Sequence, residues 1–174
     1  MTTGKKSKAY ETPNHPFQGG RIADEHRLIA EYGLANKREL WTAESRLRDI
    51  RREARDLLGQ AQGDAEAAAE IGDEFLASLR KQGYLSAEDG LDDVLSLEIT
   101  DILERRLQTQ VYRQGLANTV DQARQFISHG HITIEGQRTD RPGYVVGIDE
   151  EELVSFDERS PIADELHPER AGAQ

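Results

Sequence analysis

The sequence contains no cysteine, little lysine, few aromatic residues and no long apolar run. The absence of cysteine excludes disulfides and thiolate metal sites, so histidine and carboxylate side chains are the available metal ligands. No stretch approaches the roughly eighteen apolar residues of a transmembrane helix, and the N-terminus lacks the apolar core of a signal peptide. We therefore expect a cytoplasmic protein.

Charge is abundant but unevenly placed along the chain, whose formal net charge is −11. Residues 1–62 carry 12 Lys and Arg against 9 acids, and residues 105–146 carry 6 against 3. Residues 63–104 carry 2 Lys and Arg against 12 acids, and residues 147–174 carry 2 Lys and Arg against 9 acids. Because local charge governs contact with a polyanion, such a ligand should meet the first and third segments.

The cations are mostly arginine, with 17 Arg and 5 Lys beside 33 acids. In a cytosol of about 1 M salt, repulsion between surface carboxylates is screened within roughly 3 Å. This composition favours a halophilic source over an ordinary acidic protein.

The first part of the chain predicts an arm and several helices. Residues 1–20 contain Lys, Pro and Gly without periodicity, so we expect an extended basic arm that a partner of opposite charge would order. A short helix is expected over residues 21–32, and an Ala- and Glu-rich helix over residues 65–82. Between them a long helix should end near Gly59, because apolar residues recur at spacings of 3 and 4 at Leu40, Ala43, Leu47, Ile50, Ala54 and Leu57.

A compact helical and β unit is predicted next. One helix is expected over residues 99–114, with Leu103, Leu107 and Val111 on its apolar stripe. Thr119 and Gln122 predict the start of a second helix. The alternating "HITIE" predicts a half-buried strand, "GQ" a hairpin turn, and "YVVGI" a further short strand. Beyond these, we expect an acidic tail that is loose or forms short helices.

Enzymatic and metal chemistry have weak support. His129 and His131 flank a glycine, but Glu135 is the one further ligand type nearby, so separate roles at a helix end and a strand start are favoured. The acidic clusters at 92–93 and 150–152 lack the apolar neighbours that would raise a carboxyl pKa. No nucleophile elbow, phosphate-binding loop or dinucleotide motif is present. We expect no catalytic activity, no cofactor and no bound metal.

Basic arcs on helices indicate RNA instead. On the long helix, four arginines fall within about 100° of one another and away from the apolar seam, namely Arg48, Arg51, Arg52 and Arg55. Guanidinium groups bind phosphates bidentately, and nothing resembles a helix that reads DNA bases. Structured RNA, recognised by shape and backbone, fits these arcs better.

The stretch "ERRLQTQVYRQGLANTVDQARQFISHGHITIEGQR" resembles the alpha-L RNA-binding motif of the fourth protein of the small ribosomal subunit. The arm "KAYETPNHPF", the helix "SRLRDIRREARDLL" and the tract "LDDVLSLEITDILERRLQTQVYRQGLA" are similar to the archaeal and eukaryotic branch of that family along nearly the whole chain. The resemblance implies a primary binder of small-subunit ribosomal RNA that nucleates assembly, lies beside neighbouring small-subunit proteins, and influences decoding accuracy. It implies an α+β fold, in which a mainly helical N-terminal region accompanies two helices packed on a small, mainly antiparallel sheet.

The expected organisation is a basic arm over 1–20, a helical region over 21–98, the RNA-binding domain over 99–148, and an acidic tail over 149–174 near the helical region. By position in the motif, the resemblance implies an RNA-facing group of Arg105, Arg106, Tyr112, Arg113, Arg124, Gln125, His129 and His131. Charge and placement add Lys5, Lys6, Lys8, Arg51, Arg52 and Arg55. The chain departs from many bacterial members in lacking an N-terminal cysteine cluster for zinc, and it has Gly143 where Ser is expected.

Two alternatives stay open. A translation factor or RNA-modification factor can carry the same motif. A helical interaction protein could instead dimerise through the 40–57 seam.

Overall fold

The computed structural model describes residues 8–60 and 65–170. This part of the chain forms eight α-helices, a three-stranded antiparallel sheet of order β2-β1-β3 and one 3-10 helix, Pro161–Ala163. The helices are α1 (Gly19–Glu31), α2 (Lys37–Gln60), α3 (Ala65–Lys81), α4 (Leu91–Ser96), α5 (Ile99–Glu104), α6 (Leu107–Arg113), α7 (Val120–Ser128) and α8 (Ile148–Glu151). The strands are β1 (Ile132–Ile134), β2 (Gln137–Arg138) and β3 (Val154–Phe156). The predicted α+β class is confirmed.

Helices α1 to α5 enclose the first hydrophobic core. The Asn36 carboxamide oxygen accepts hydrogen bonds from the amides of Arg38 and Glu39, at 2.9 and 3.3 Å, and so caps the start of α2. All six residues of the predicted seam on α2 are buried, and the five from Leu40 to Ala54 belong to this core. The long-helix prediction is confirmed, whereas dimerisation through the seam is wrong, since the chain's own helices cover it.

The helix predicted over residues 99–114 is wrong in one respect, because it divides into α5 and α6 at Arg105 and Arg106. The first amides of α6 donate to backbone carbonyls of a distant loop, Leu107 to Tyr144 at 2.7 Å and Gln108 to Pro142 at 3.2 Å. A β-bridge pairs Arg106 with Val145 in the same place. The loop therefore supplies partners that a continuing helix would otherwise provide.

Helices α6 and α7 pack with the sheet around a second hydrophobic core. The Thr119 hydroxyl caps α7 by accepting from the Gln122 amide at 3.1 Å, as predicted. The hairpin turn lies at Glu135 and Gly136 and not at the predicted "GQ", because these two residues have positive φ angles of 52° and 76°. Strand β1 is buried at all three positions, so the half-buried prediction is wrong there.

The segments after the hairpin also differ from the sequence prediction. The "YVVGI" segment is not a strand and contributes the isolated bridge at Val145. The third strand is β3, which pairs with β1 at Ile132↔Phe156 and Ile134↔Val154. The tail contains the short helices that were one of its two predicted forms, α8 and the 3-10 helix Pro161–Ala163. It is not loose at Val154 and Ile162, which are buried in the second core.

The described part of the arm, residues 8–18, contains neither helix nor strand and lies against α2. The Glu11 amide donates to the Ser45 hydroxyl at 3.1 Å, and the Glu11 carboxylate pairs with Arg48. Tyr10 and Trp41 rings lie 6.1 Å apart. The chain thus supplies contacts for this stretch, which the sequence assigned to a partner. Gly19 and Gly20 belong to α1 and not to the arm.

Within residues 8–60 and 65–170, no helix combines the length and apolar character needed to cross a membrane.

Candidate RNA-binding surface

Two arginines from the predicted RNA-facing group, Arg106 and Arg124, converge on one carboxylate, Glu39. Glu39 lies in the first turn of α2 and accepts from Arg106 Nη2 through Oε2 at 2.5 Å, and from Arg124 Nη2 through Oε1 at 2.5 Å. The Arg106 side chain is 11% exposed and the Arg124 side chain 27% exposed. Burial lowers the pKa of Arg106, and the Glu39 charge opposes that shift. The pairing is therefore partly desolvated and intramolecular.

Gln108 extends this cluster into the interior. Its carboxamide is fully buried, and Nε2 donates to the carbonyl oxygens of Gly33 and Val120 at 2.8 and 2.9 Å. Its Oε1 accepts from Arg124 Nη1 at 3.0 Å. Both the nitrogen and the oxygen of the Gln108 carboxamide are hydrogen-bonded. These bonds connect the loop after α1 to α6 and α7.

Arg105 is held in a second, separate cluster. Its guanidinium donates through Nη2 to the Val146 carbonyl and through Nη1 to Glu151 Oε2, each at 2.8 Å. The side chain is 12% exposed. It also stacks so closely on Gly83 that a Cβ there would lie 2.7 Å from Arg105 Cζ. Arg105 thus joins the end of α3 to α8, and neither Arg105 nor Arg106 presents a free guanidinium to solvent.

The other motif residues are more accessible. Tyr112 is 37% exposed, and Gln125 and His129 are also exposed on α7 and at its end. Arg113 is 54% exposed, although it pairs with Glu104 at 2.7 Å. These positions are accessible to a ligand, and their contact with RNA stays a prediction.

The basic face of α2 is divided between contacts and solvent. Arg52 pairs with Asp49 at 2.6 Å, and Arg51 donates to the carbonyl of Leu97. Arg55 is exposed. Lys8 lies beside the arm's Tyr10, with its Nζ 6.0 Å from the ring centre. Lys5 and Lys6 lie outside the described residues.

His129 and His131 take separate positions. His129 caps α7, and its ring is 6.1 Å from that of His131. His131 Nδ1 lies 2.8 Å from the Ser160 hydroxyl, and its ring meets the edge of Phe126, so it is less surface-facing than the sequence suggested. Among the described residues, no three His, Asp or Glu side chains form a group that could hold a metal ion.

We expect the stability of the protein to fall as the pH drops below about 6.5 because of His131. Burial is the main cause that lowers the pKa of His131; His129 and Arg138 add to the shift, and Asp157 opposes it. The unfolded chain therefore takes up the proton first, which favours unfolding in the window just below the ordinary pKa. Urea unfolding between pH 7 and 5.5 should show this decline, and His131→Asn should reduce it. Equal pH slopes for the two proteins would contradict the assignment.

The sequence analysis did not single out two exposed arginines, Arg38 and Arg141, that are close along the chain to residues of this region. Arg38 precedes Glu39 on α2, and Arg141 precedes Pro142, whose carbonyl accepts from the start of α6. Neither has a carboxylate partner within the described residues. Segment charge alone could not distinguish them from the arginines that are neutralised internally.

Comparison with known proteins identifies the family. The S4 domain model matches residues 105–152, which span α6, α7, the hairpin and α8. A small ribosomal subunit protein uS4 of Natronomonas pharaonis is 63% identical over 174 residues, covering 100% of both chains. The chain belongs to the uS4 family. Members from Halobacterium salinarum and Haloarcula marismortui are 60% and 61% identical, over 98% and 100% of this chain and 97% and 99% of theirs.

Membership in the uS4 family confirms the resemblance and the presence of an S4 RNA-binding domain. It also confirms that the chain is not an enzyme, since its relatives are ribosomal structural proteins. Relatives from halophilic archaea agree with the acidic, arginine-rich composition. The alternative of a translation or modification factor is not favoured, because the match to the relatives extends along the whole chain and beyond the motif.

Proposed function

We propose that this chain is a structural constituent of the small ribosomal subunit, where it binds ribosomal RNA and works in the cytoplasm. The observation that carries this proposal is the match along both full lengths to small-subunit proteins. The S4 domain match, and accessible arginines on a chain of net charge −11, support RNA as the ligand.

The proposed contact surface is built from accessible groups. It includes Arg38 and Arg141, the exposed edge of Arg124, and the open positions on α6 and α7, which are Tyr112, Arg113, Gln125 and His129. We propose a second contact that consists of Arg51, Arg52, Arg55 and the lysines of the arm, Lys5, Lys6 and Lys8. His131 is proposed as part of the first surface, where its ring lies beside that of His129. The attraction between these cations and RNA phosphates acts across a few ångströms and is little screened by salt. The repulsion between phosphates and the distant carboxylates is screened.

The test is the salt dependence of binding to small-subunit ribosomal RNA. Each lost phosphate contact reduces the slope of log K against log salt by about 0.7 to 0.9. For Arg38→Gln combined with Arg141→Gln, we therefore expect the magnitude of the slope to fall by about 1.4 to 1.8. Filter binding over a salt series measures the slope directly.

Arg159→Gln is the matched control, because Arg159 is also exposed but lies in the acidic C-terminal segment. We expect its salt slope to equal that of the unaltered protein. An unchanged slope in the Arg38 and Arg141 double variant would remove these two residues from the surface. Wild-type affinity no greater for small-subunit RNA than for an unrelated RNA of equal length would refute the function itself.

We also propose four finer properties that the resemblance implies. These are nucleation of subunit assembly, an influence on translational accuracy, contact with neighbouring small-subunit proteins, and a monomeric state within the ribosome. Cosedimentation of the chain with reconstituted subunits, omitting one neighbour at a time, tests the protein contacts.

A further inference from the structure

We propose that Glu39 is a positioning residue, which acts through Arg106 and Arg124 to set the arrangement of the helical region relative to the motif. This proposal rests on the proposed function, because the arrangement affects RNA binding. It fixes the orientation of the two proposed RNA-contacting regions relative to each other. The residue was not among the sequence-predicted site residues, and it carries the opposite charge to the surface around it.

The first step is the placement of the three side chains. Glu39 belongs to α2, whose seam lies in the first core, while Arg106 and Arg124 belong to the corner before α6 and to α7. Both carboxylate oxygens are engaged, Oε1 by Arg124 and Oε2 by Arg106 at 2.5 Å and by Arg124 Nη1 at 3.3 Å. One carboxylate therefore connects three elements across the boundary between the two cores.

The second step concerns what else crosses that boundary. The buried apolar residues divide into two clusters, one ending at Leu103 and the other beginning at Leu107. Among the described residues, Val145 is the apolar side chain from beyond Arg106 that packs on the first cluster. Apolar burial is non-directional, whereas forked guanidinium contacts fix geometry. The relative orientation of the two regions thus depends on polar contacts, of which the Glu39 cluster is one.

The third step is the sign of the charge. A carboxylate near a surface that binds RNA repels the phosphates, so Glu39 weakens binding if its effect is only electrostatic. A positioning role predicts the reverse, because removing the charge loosens the arrangement that RNA selects. The two hypotheses therefore predict opposite changes in affinity for Glu39→Gln.

We expect Glu39→Gln to weaken binding of small-subunit ribosomal RNA about three- to tenfold, although the variant is less acidic. This corresponds to a fall of the competent arrangement to between about a third and a tenth of the population. Glu53→Gln is the matched control, since Glu53 is exposed on the same helix and loses the same charge. We expect its affinity to be equal to or slightly greater than that of the wild type.

A distance measurement provides a readout independent of RNA. The chain has no cysteine, so Ala77→Cys on α3 and Ser128→Cys at the end of α7 can carry spin labels without removing native thiols. Both positions are exposed. In the absence of RNA, Glu39→Gln should broaden the distance distribution between the labels at a temperature where far-ultraviolet circular dichroism still shows a folded protein. Loss of stability alone does not broaden distances within the folded population.

Arg124→Lys keeps the positive charge but removes the forked contact with Glu39, and it serves if Glu39→Gln does not fold. Positioning predicts weaker RNA binding and broader distances for this variant as well. The proposal is overturned if Glu39→Gln binds RNA as tightly as the wild type or tighter, or if the label distances stay unchanged in the variants. If wild-type protein does not bind the RNA specifically, the proposed function fails, while the distances still decide the role of Glu39.

Discussion

Arg106→Glu is expected to destabilise the protein by about 3 to 5 kcal/mol, the cost of breaking a largely buried ion pair by altering one partner. The new carboxylate would face Glu39 at a position where the arginine side chain is 11% exposed. Arg124 would then be the one remaining cation of the cluster beside two carboxylates. Denaturant unfolding followed by circular dichroism measures the loss. Loss of RNA binding in this variant would then report a damaged fold and not a removed contact.

Arg141→Glu is the control for the same change of charge at an exposed position nearby. It should alter the free energy of unfolding by no more than about 0.5 kcal/mol, as most surface substitutions do. Equal unfolding midpoints for Arg106→Glu and Arg141→Glu would show that Arg106 is not held as described.

Gly33→Ala is expected to cost about 3 kcal/mol, because two penalties coincide at this position. Gly33 has a φ of +58°, and an added Cβ would lie 2.6 Å from Gln108 Nε2 and 2.9 Å from Val120 Cγ2. The methyl group would therefore displace the carboxamide that donates to the Gly33 carbonyl and break the network that also holds Arg124. Equilibrium urea unfolding measures the effect.

Gly115→Ala separates the two penalties. Gly115 has a φ of +73°, but nothing lies within 4 Å of an added Cβ. Only the left-handed backbone cost of about 1 to 2 kcal/mol should appear. If the two alanine variants lose the same free energy, the Gln108 contact does not constrain Gly33.

The parts of the fold that follow from local pattern were predictable from sequence. The seam of α2 could be read from spacing because each apolar residue reports the same buried face. The division between α5 and α6 could not, since its cause is a backbone bridge to Val145. Strand β3 was missed because three residues in an acidic segment carry too little alternation to indicate a strand.

The candidate site was predictable to a similar extent. Charge counting identified residues 105–146 as basic, whereas the individual positions came from the resemblance, and among them Tyr112, Gln125 and His129 are exposed. It could not reveal that Arg106 is neutralised by Glu39, which lies far away along the chain. Pairing between distant residues is a tertiary property, so the enclosure of the Arg105 and Arg106 side chains could not be read from the sequence. Their contact with RNA stays a prediction.

The carbonyls that complete the start of α6 belong to Pro142 and Tyr144, beyond the whole hairpin. Until these residues are made, the first amides of α6 lack the carbonyl partners that they have in the folded protein. Closing that long loop loses conformational entropy before the contacts between the loop and α6 can stabilise the closed form. The motif should therefore reach its final shape late, as one event, once the nascent chain has extended past Ile162, which belongs to the second core.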